Sequence, residues 1–578
     1  MTDNPIPRQQ PPVGAWGDPR ADRAPVHPSR SSAGRFLCAG VHLDAGYRDQ
    51  VIDELFVHEE RIVAPSYGYD AARVLAHALR ARRAELGWAV AVLGAWFVGS
   101  LLTGGVLGLL LPLFLMLTLA DWLQGREPVL ARLLGTLLRV YAWLLLALVV
   151  VLVVFSGFGP SDLGGYVTGA VGVDATGPYS PYEPDLGPSG GPDSTAVLWW
   201  VPVVFAGVVA VVGLQRGHVY RTIAEDLEES RYADHAGDPA EASPGTRFAR
   251  IRDRVRAEQH APVVMYDVND PFCGAGDPYR PWQLSVELRP REDLGPDRKP
   301  TPVTNAHLVA RIIPLLERLR VPSPHGSLQA EAAVEDRLRE LVVDECVFLP
   351  ANGLPHRDAA QAIHRQYAEQ RAAAIEEGGE RRRHFLRVRV GGWDENLVVT
   401  VFVRVHTQGG MMMLEVAPHV LLPVRTAFHN ADADARRHRD SNLLGKAAAA
   451  LRHTPTSFAT AVLALARGVS SWWRIATSGN GGARPEGPRL SVRELASQDN
   501  GSLFHLMDLD RFLKTIQDRV VGGVTVALHE AGWHTEEFAE RAVNVAEGGV
   551  FIRAVHDSAF SIGGSGHVNK VKKQGGTR

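Results

Sequence analysis

The chain has 578 residues, a formal charge of −3 and a mean hydropathy of −0.06. The near-balanced charge excludes a strongly basic nucleic-acid-binding protein, and the length allows several domains. The three cysteines, Cys38, Cys273 and Cys346, form no CxxC pair. That argues against a disulfide scaffold and against a Cys-based zinc site.

The first 34 residues are rich in Pro and Arg and have no apolar h-region. They read as a disordered tail rather than a signal peptide. Residues 35–87 read as a small helical module. Tyr47–His58 has helical spacing, with Val51, Leu55 and His58 on one stripe. Asp70 is an N-cap for a helix over Ala71–Leu86, whose last turns carry Arg80, Arg82 and Arg83.

An apolar stretch of 35 residues then runs from Trp88 to Trp122, and two more apolar runs cover 140–156 and 196–214. Loops at cytoplasmic helix ends carry excess Lys and Arg. Arg80, Arg82 and Arg83 precede the first run, and Arg126, Arg132 and Arg139 follow it. No Lys or Arg occurs from Val140 through Gln215. A single crossing by 88–122 inverts every one of these biases. Two crossings, turning at Thr103-Gly104-Gly105, satisfy all of them. Each arm is then about 16 residues or ~24 Å, short of a ~30 Å hydrocarbon core. Such mismatch costs less than mislocating several Arg. The expectation is four membrane segments at 88–103, 106–121, 138–156 and 196–214, with a single long helix as the alternative. Both termini are then cytoplasmic at the plasma membrane. Loop 156–195 is extracytoplasmic and Gly/Pro-rich, and reads as a solvated spacer, with a cation, cell-wall or partner sensor as the functional alternative.

Residues 215–562 read as a cytosolic α+β domain with antiparallel strands, followed by a disordered tail over 563–578. Strands are expected at Val263–Tyr266, Gln283–Leu288, Leu386–Val390, Leu397–Val405 and Met411–Val416, with Val420–Leu422 as an extension and 550–555 as a last strand. Helices are expected at 219–234, 305–319, 328–343, 356–376, 456–474, 507–530 and 535–546.

Several stretches share a pattern: Phe36-Leu37-Cys38-Ala39, Leu43-Asp44, Ala64-Pro65-Ser66-Tyr67-Gly68-Tyr69-Asp70 and His77-Ala78-Leu79-Arg80. So do Pro271-Phe272-Cys273-Gly274-Ala275-Gly276 with Trp282, Ser491-Val492-Arg493-Glu494-Leu495, Asp508 to Leu513, and Thr535-Glu536-Glu537-Phe538. Through them the chain resembles an uncharacterised group of actinobacterial multi-pass membrane proteins, over roughly residues 35–565. The resemblance implies a shared architecture and brings no established activity. It also implies a Val at position 273, so no thiol function comes with it.

No complete catalytic constellation, metal site or cofactor motif emerges. His529-Glu530-Ala531-Gly532-Trp533-His534 is one residue too long for HExxH, which needs its histidines on one helix face. Gly563-Gly564-Ser565-Gly566-His567 is not a nucleophile elbow. His505, Asp508 and Asp510 fit a helix start. The loop holding Phe272, Gly274 and Gly276, before Trp282, is the one ligand-loop candidate. Its plainer reading is a hairpin loop packed by Phe272 and Trp282. Helix 456–474 carries the stripe Phe458, Val462, Leu465, Val469 and Trp472, read first as core. Its alternative is a membrane-surface helix anchored by Trp472, Trp473 and Arg474. The membrane segments hold no Asp, Glu, His or Lys in their interiors, which argues against a transport core. The expected partners are the lipid bilayer and other proteins or further copies of the chain, with no nucleic acid. The function that follows is display of a cytosolic interaction, scaffolding or regulatory domain. The alternatives are a membrane-anchored enzyme with a dispersed site, or a small channel or transport subunit.

Overall fold

Seven strands form one mixed sheet in the computed structural model. The structure describes residues 28–103, 105–124, 129–158, 194–235, 237–242, 245–293, 299–321, 327, 337–377, 379, 381–392, 396–477 and 484–546. The strands are β1 (Val263–Tyr266), β2 (Asp277–Pro278), β3 (Trp282–Glu287), β4 (Val342–Pro350), β5 (Arg383–Gly392), β6 (Leu397–Gln408) and β7 (Met411–Leu421). Their order is β1-β4-β5-β6-β7-β2, and β3 also pairs with β7. Strands β5 to β7 form the antiparallel meander that the alternating valines predict, and β4, not read from the sequence, pairs antiparallel with β5. Gly409 and Gly410, both at positive φ, close the β6–β7 hairpin. A two-residue turn with left-handed backbone matches the strand twist.

Three expectations are corrected here. The first pair in the sheet, β1 with β4, is parallel rather than antiparallel. Strand β4 occupies residues 342–343, which the sequence assigned to the end of a helix over 328–343; residues 328–336 lie outside the described residues. The segment between β1 and β3 is not a hairpin, because β1 pairs with β4 while β3 pairs with β7. It crosses the sheet instead.

One face of the sheet is aliphatic. Leu386, Val388, Val390, Val399, Val401, Val403, Met412, Leu414 and Val416 are buried there. Helices Asn305–Glu317 and Leu503–Glu530 cover it with Leu308, Ile312, Leu316, Phe512, Ile516 and Val520. The two helices approach so closely that a Cβ on Gly523 would lie 2.9 Å from the Ile312 Cα. The opposite face is aromatic, with Phe348, Phe385 and Phe402. Helix Leu503–Glu530 starts a turn earlier than expected. Ser502 accepts from the His505 backbone N–H, and the His505 ring accepts from the Ser502 N–H. Helices not read from the sequence also appear, among them Ser32–Leu43, whose start overlaps the expected tail, Thr246–Glu258 and Ala431–Asp440.

The chain divides into two compact units. One takes the described parts of Met1–Leu79, Asp226–Ala431 and Ser478–Arg578, and so joins the N-terminal helices to the sheet. The other takes Arg80–Glu225 and Asp432–Thr477. Among the described residues, three helices are long and apolar enough to cross a membrane: Ala71–Leu102, Val129–Leu148 and Trp200–Asp226. Leu110–Asp121 is apolar but shorter. No break separates the expected module helix from the apolar run, since Ala71–Leu102 is one helix. After Leu102 the chain turns. Gly105 is left-handed and donates to the Ser100 carbonyl at 2.8 Å. Trp96 then meets Phe114 edge-on at 5.7 Å.

Helix Leu443–Thr477 lies in this second unit and is longer than 456–474. Its large apolar stripe divides: Phe458 and Leu465 pack against the core of this unit, while Val462, Val469 and Trp472 are exposed. The buried face is the small one, Ala450, Thr454, Ser457, Ala461, Ala464 and Ser471. Small side chains allow helix backbones to approach closely, so that face turns inward. The expected strand at 550–555, the Gly563–His567 stretch, both tails (residues 1–27 and 547–578), and most of the 156–195 loop lie outside the described residues.

Candidate functional site

The Gly-rich loop begins as a series of tight turns. Asp267 accepts from the Asn269 N–H at 2.8 Å, and the Phe272 carbonyl accepts from Ala275 at 2.9 Å. Gly274 and Gly276 have φ of +101° and +89°, which side chains with a Cβ resist. With that backbone both N–H groups point to one side, the arrangement that cradles an anion. The cradle is occupied by the chain itself. Glu494 Oε1 accepts from Gly274 at 2.7 Å and from Gly276 at 2.8 Å. Cys273 Sγ lies 3.9 Å from the other carboxylate oxygen. Burial pushes the Glu494 carboxyl up to about 7, against the lowering effect of the two glycine N–H groups.

The loop is fixed from three sides. Phe272 inserts into the aromatic face, with its ring 4.8 Å from Phe402, 5.3 Å from Phe348 and 4.5 Å from His419. Burial lowers His419 to about 4, so it is neutral there. A Cβ on Gly274 would come within 2.7 Å of the Pro65 carbonyl, and one on Gly276 would collide with Val420. Beside Glu494, Arg493 is fully buried. It donates to the Asn396 carbonyl at 2.8 Å and to Ser497 Oγ at 3.1 Å. Burial draws it down to about 10. Tyr47 Oη reaches the Val492 carbonyl at 3.1 Å. Three stretches distant in sequence thus meet: 64–70, 271–276 and 491–495.

A second polar cluster forms where Arg73 and His77, four residues apart on one helix face, reach Asp238. Asp238 Oδ2 accepts from Arg73 Nε at 2.7 Å and pairs with His77 Nε2 at 3.1 Å. All three side chains are essentially inaccessible. Arg73 Nη1 also donates to the Ser29 and Tyr232 carbonyls, and its guanidinium lies 3.6 Å from the Tyr232 ring centre. Burial pushes Asp238 up, but His77, the Ala240 N–H and Arg73 outweigh it and hold the carboxyl far below its usual range. His77 Nδ1 lies 3.4 Å from Nε2 of half-buried His42. Cys38 is 4.0 Å from Tyr232 Oη, and burial pushes its thiol well up. A buried neutral thiol is a poor nucleophile.

The sequence candidates separate in space. Phe272 belongs to the aromatic face, whereas Trp282 is in β3 and packs against the aliphatic core. The idea that both pack one hairpin loop is therefore incorrect. His529 and His534 do not share a helix, because the helix ends at Glu530 and Gly532 has φ of +85°. His529 instead contacts Arg291, and Glu530 pairs with Arg311. Asp510 accepts from Tyr279 Oη at 3.0 Å. Trp472, Trp473 and Arg474 end the long helix of the other unit. Sequence reasoning missed Asp238 and Glu494 as site residues. Only the i,i+4 spacing of Arg73 and His77 hinted that a buried counter-charge was needed.

A small cavity lies beside His58, lined also by Glu54, Glu59, Arg61, Arg254 and Arg357. Its charges are paired: Arg61 with Glu54 at 2.5 Å, and Arg357 with Glu258 at 2.7 Å. Among the described residues no group of three or more His, Cys, Asp or Glu is placed to hold a metal ion.

A family model described as an AbeC-like domain matches residues 281–559. The matched segment starts just before β3. It contains Glu494 and the long amphipathic helix, and excludes the Gly-rich loop that Glu494 closes. No curated protein and no solved structure matches the chain.

Proposed function

We propose that this chain is a multi-pass plasma-membrane protein whose α+β domain faces the cytoplasm and serves there as an interaction, scaffolding or regulatory module. One observation carries the reading. The first turn of helix Leu503–Glu530 leaves Leu503, Phe504 and Met507 at least 60% exposed, although Ser502 and His505 already cap it. A capped turn holds its shape without a partner, so the apolar cluster is presented in a fixed form. Aromatic and Met side chains of this kind are enriched at protein interfaces. Filling of the Gly274–Gly276 anion cradle by Glu494 also favours a binding module over an enzyme.

The arginine distribution supports four segments with both termini inside. The left-handed turn at Gly105 and the Trp96–Phe114 contact favour a hairpin over a straight helix. The test is a photo-crosslinking residue in place of Phe504 in the full chain, in cells. A discrete adduct with a second polypeptide, another copy or a different chain, is expected. Reaction with water or lipid alone, together with no self-association in mild detergent, removes the reading. A membrane-anchored enzyme is the second reading. It is favoured by the line Asp238–His77–His42, in which an ionised carboxylate orients a buried imidazole whose other ring nitrogen lies 3.4 Å from half-buried His42.

A further inference from the structure

Charge and apolarity are segregated along helix Leu443–Thr477. Lys446 and Arg452 stand before its middle, and Arg467 and Arg474 after it. No Asp, Glu, Lys or Arg lies in between. The contacts of this helix follow the same division. Its middle meets apolar helix interiors: Ser457 Oγ accepts from Trp96 Nε1 at 3.3 Å, the Phe458 ring is 6.4 Å from Trp96, and Ala461 and Ala464 share a core with Phe114 and Val208. Its C-terminal flank meets the polar start of the same apolar run. Arg82 donates to Ser471 Oγ at 2.6 Å and to the Arg467 carbonyl at 3.2 Å, and Arg467 lies 3.5 Å from Glu85. On the other flank, Ala450 packs at Gly213, and His438 of the preceding helix stacks on Tyr220 at 4.7 Å. Gly213 and Tyr220 bracket Arg216, where the 196–214 apolar run ends.

Both flanks are therefore level with polar helix ends, and the middle is level with Trp96. Trp96 is eight residues beyond Trp88, ~12 Å along the helix, less than the ~15 Å of one hydrocarbon leaflet. At that depth the outward face, Val462 and Leu463, is exposed, as are Phe97, Leu101 and Leu115 on neighbouring helices. Trp472 and Trp473, also exposed, fall beside the Arg82–Glu85–Arg467 cluster, where aromatic residues collect at a membrane border.

We infer that the Leu443–Thr477 helix is embedded in one leaflet of the bilayer without crossing it, with lipid acyl chains against Val462 and Leu463 and headgroups at Trp472 and Trp473. The inference rests on the membrane reading above and deepens it, since the notional boundary between membrane region and soluble domain disappears at this helix.

The test uses the full chain in phosphatidylcholine–phosphatidylglycerol proteoliposomes, with a nitroxide on Val462→Cys or Leu463→Cys. These positions are exposed, so the label displaces no packing. Leu144→Cys, on the Val129–Leu148 helix, is the lipid reference, and Lys446→Cys is the aqueous one. Unsubstituted protein sets the background from its three buried cysteines. The expected result is that collision with oxygen exceeds collision with a water-soluble nickel chelate at 462 and 463 as it does at 144, several-fold above the ratio at 446. Lipid-like behaviour at 144 with nickel access at 462 and 463 overturns the inference and leaves the membrane reading standing. Nickel access at 144 as well overturns the membrane reading itself. Exclusion of both probes at 462 and 463 means that protein covers the face, and also overturns the inference.

Discussion

Two carboxylates of the sheet-containing unit, Asp238 and Glu494, are held in opposite ways. Asp238 meets a guanidinium and an imidazole, and its carboxyl is held far below the usual range. Glu494 meets two glycine N–H groups, and its carboxyl rises to about 7. Backbone dipoles satisfy a carboxylate's hydrogen bonds without balancing its charge, so burial decides the outcome for Glu494. At Asp238 a full counter-charge lies in the same dry site and wins. The first arrangement fastens the N-terminal helices to residues 232–240. The second fastens a loop to a one-turn helix and can lose its charge near neutral pH.

The largest expected effect is at the first of these. Asp238→Asn leaves the Arg73 guanidinium buried without its counter-charge and should cost roughly 3–5 kcal/mol. Thermal unfolding of the detergent-purified full chain reads this directly. A loss below about 1 kcal/mol would mean that Arg73 finds another anion or water. The pH dependence has a definite sign. A carboxyl depressed below its unfolded value of 3.8 contributes stability that is present above that value and lost as pH falls through and below it. The native protein should therefore lose stability in acid more steeply than Asp238→Asn does.

Next in size is the cradle backbone. Gly276→Ala meets both a left-handed backbone and a collision with the Val420 carbonyl, and should cost roughly 2–4 kcal/mol. Gly105→Ala is the contrasting case. It shares the positive φ, but nothing lies within 4 Å of the added Cβ, so the cost should stay near 1 kcal/mol. Equal losses at the two sites would show that backbone conformation alone, and not close packing, sets the price at Gly276.

Much of the sheet could be read locally. Leu386, Val388 and Val390 alternate with Arg387 and Arg389, and the pattern repeats from Val399 to Val405. Strand β4 could not, because Asp344 and Glu345 interrupt its apolar run. Their partners come from elsewhere: Arg387 on β5 for Asp344, and Arg371 and His384 for Glu345. The cradle was half legible. The spacing of Gly274 and Gly276 marked a loop able to hold an anion, but the occupant lies 220 and 218 residues away along the chain. Asp238 is likewise 165 residues from Arg73. Periodicity reports which face of an element is buried. It carries no information on which distant charge completes a buried pair.

The smallest expected effect separates the two carboxylates most sharply. Glu494→Ala leaves the Gly274 and Gly276 N–H groups without an acceptor and should cost about 2 kcal/mol. Glu494→Gln should not, because a single oxygen accepts both bonds and an amide carbonyl can take its place. Between the unfolded value of 4.5 and about 7, the folded chain keeps a proton that the unfolded chain has released. Native stability should then decline as pH rises through that window and level off above it. Gln carries no charge to desolvate, so its curve should stay flat there. The two proteins should match near pH 5, and Glu494→Gln should be the more stable at pH 8. If Gln is instead the less stable at pH 8, the carboxylate is being stabilised as an anion, and Glu494 resembles Asp238 after all.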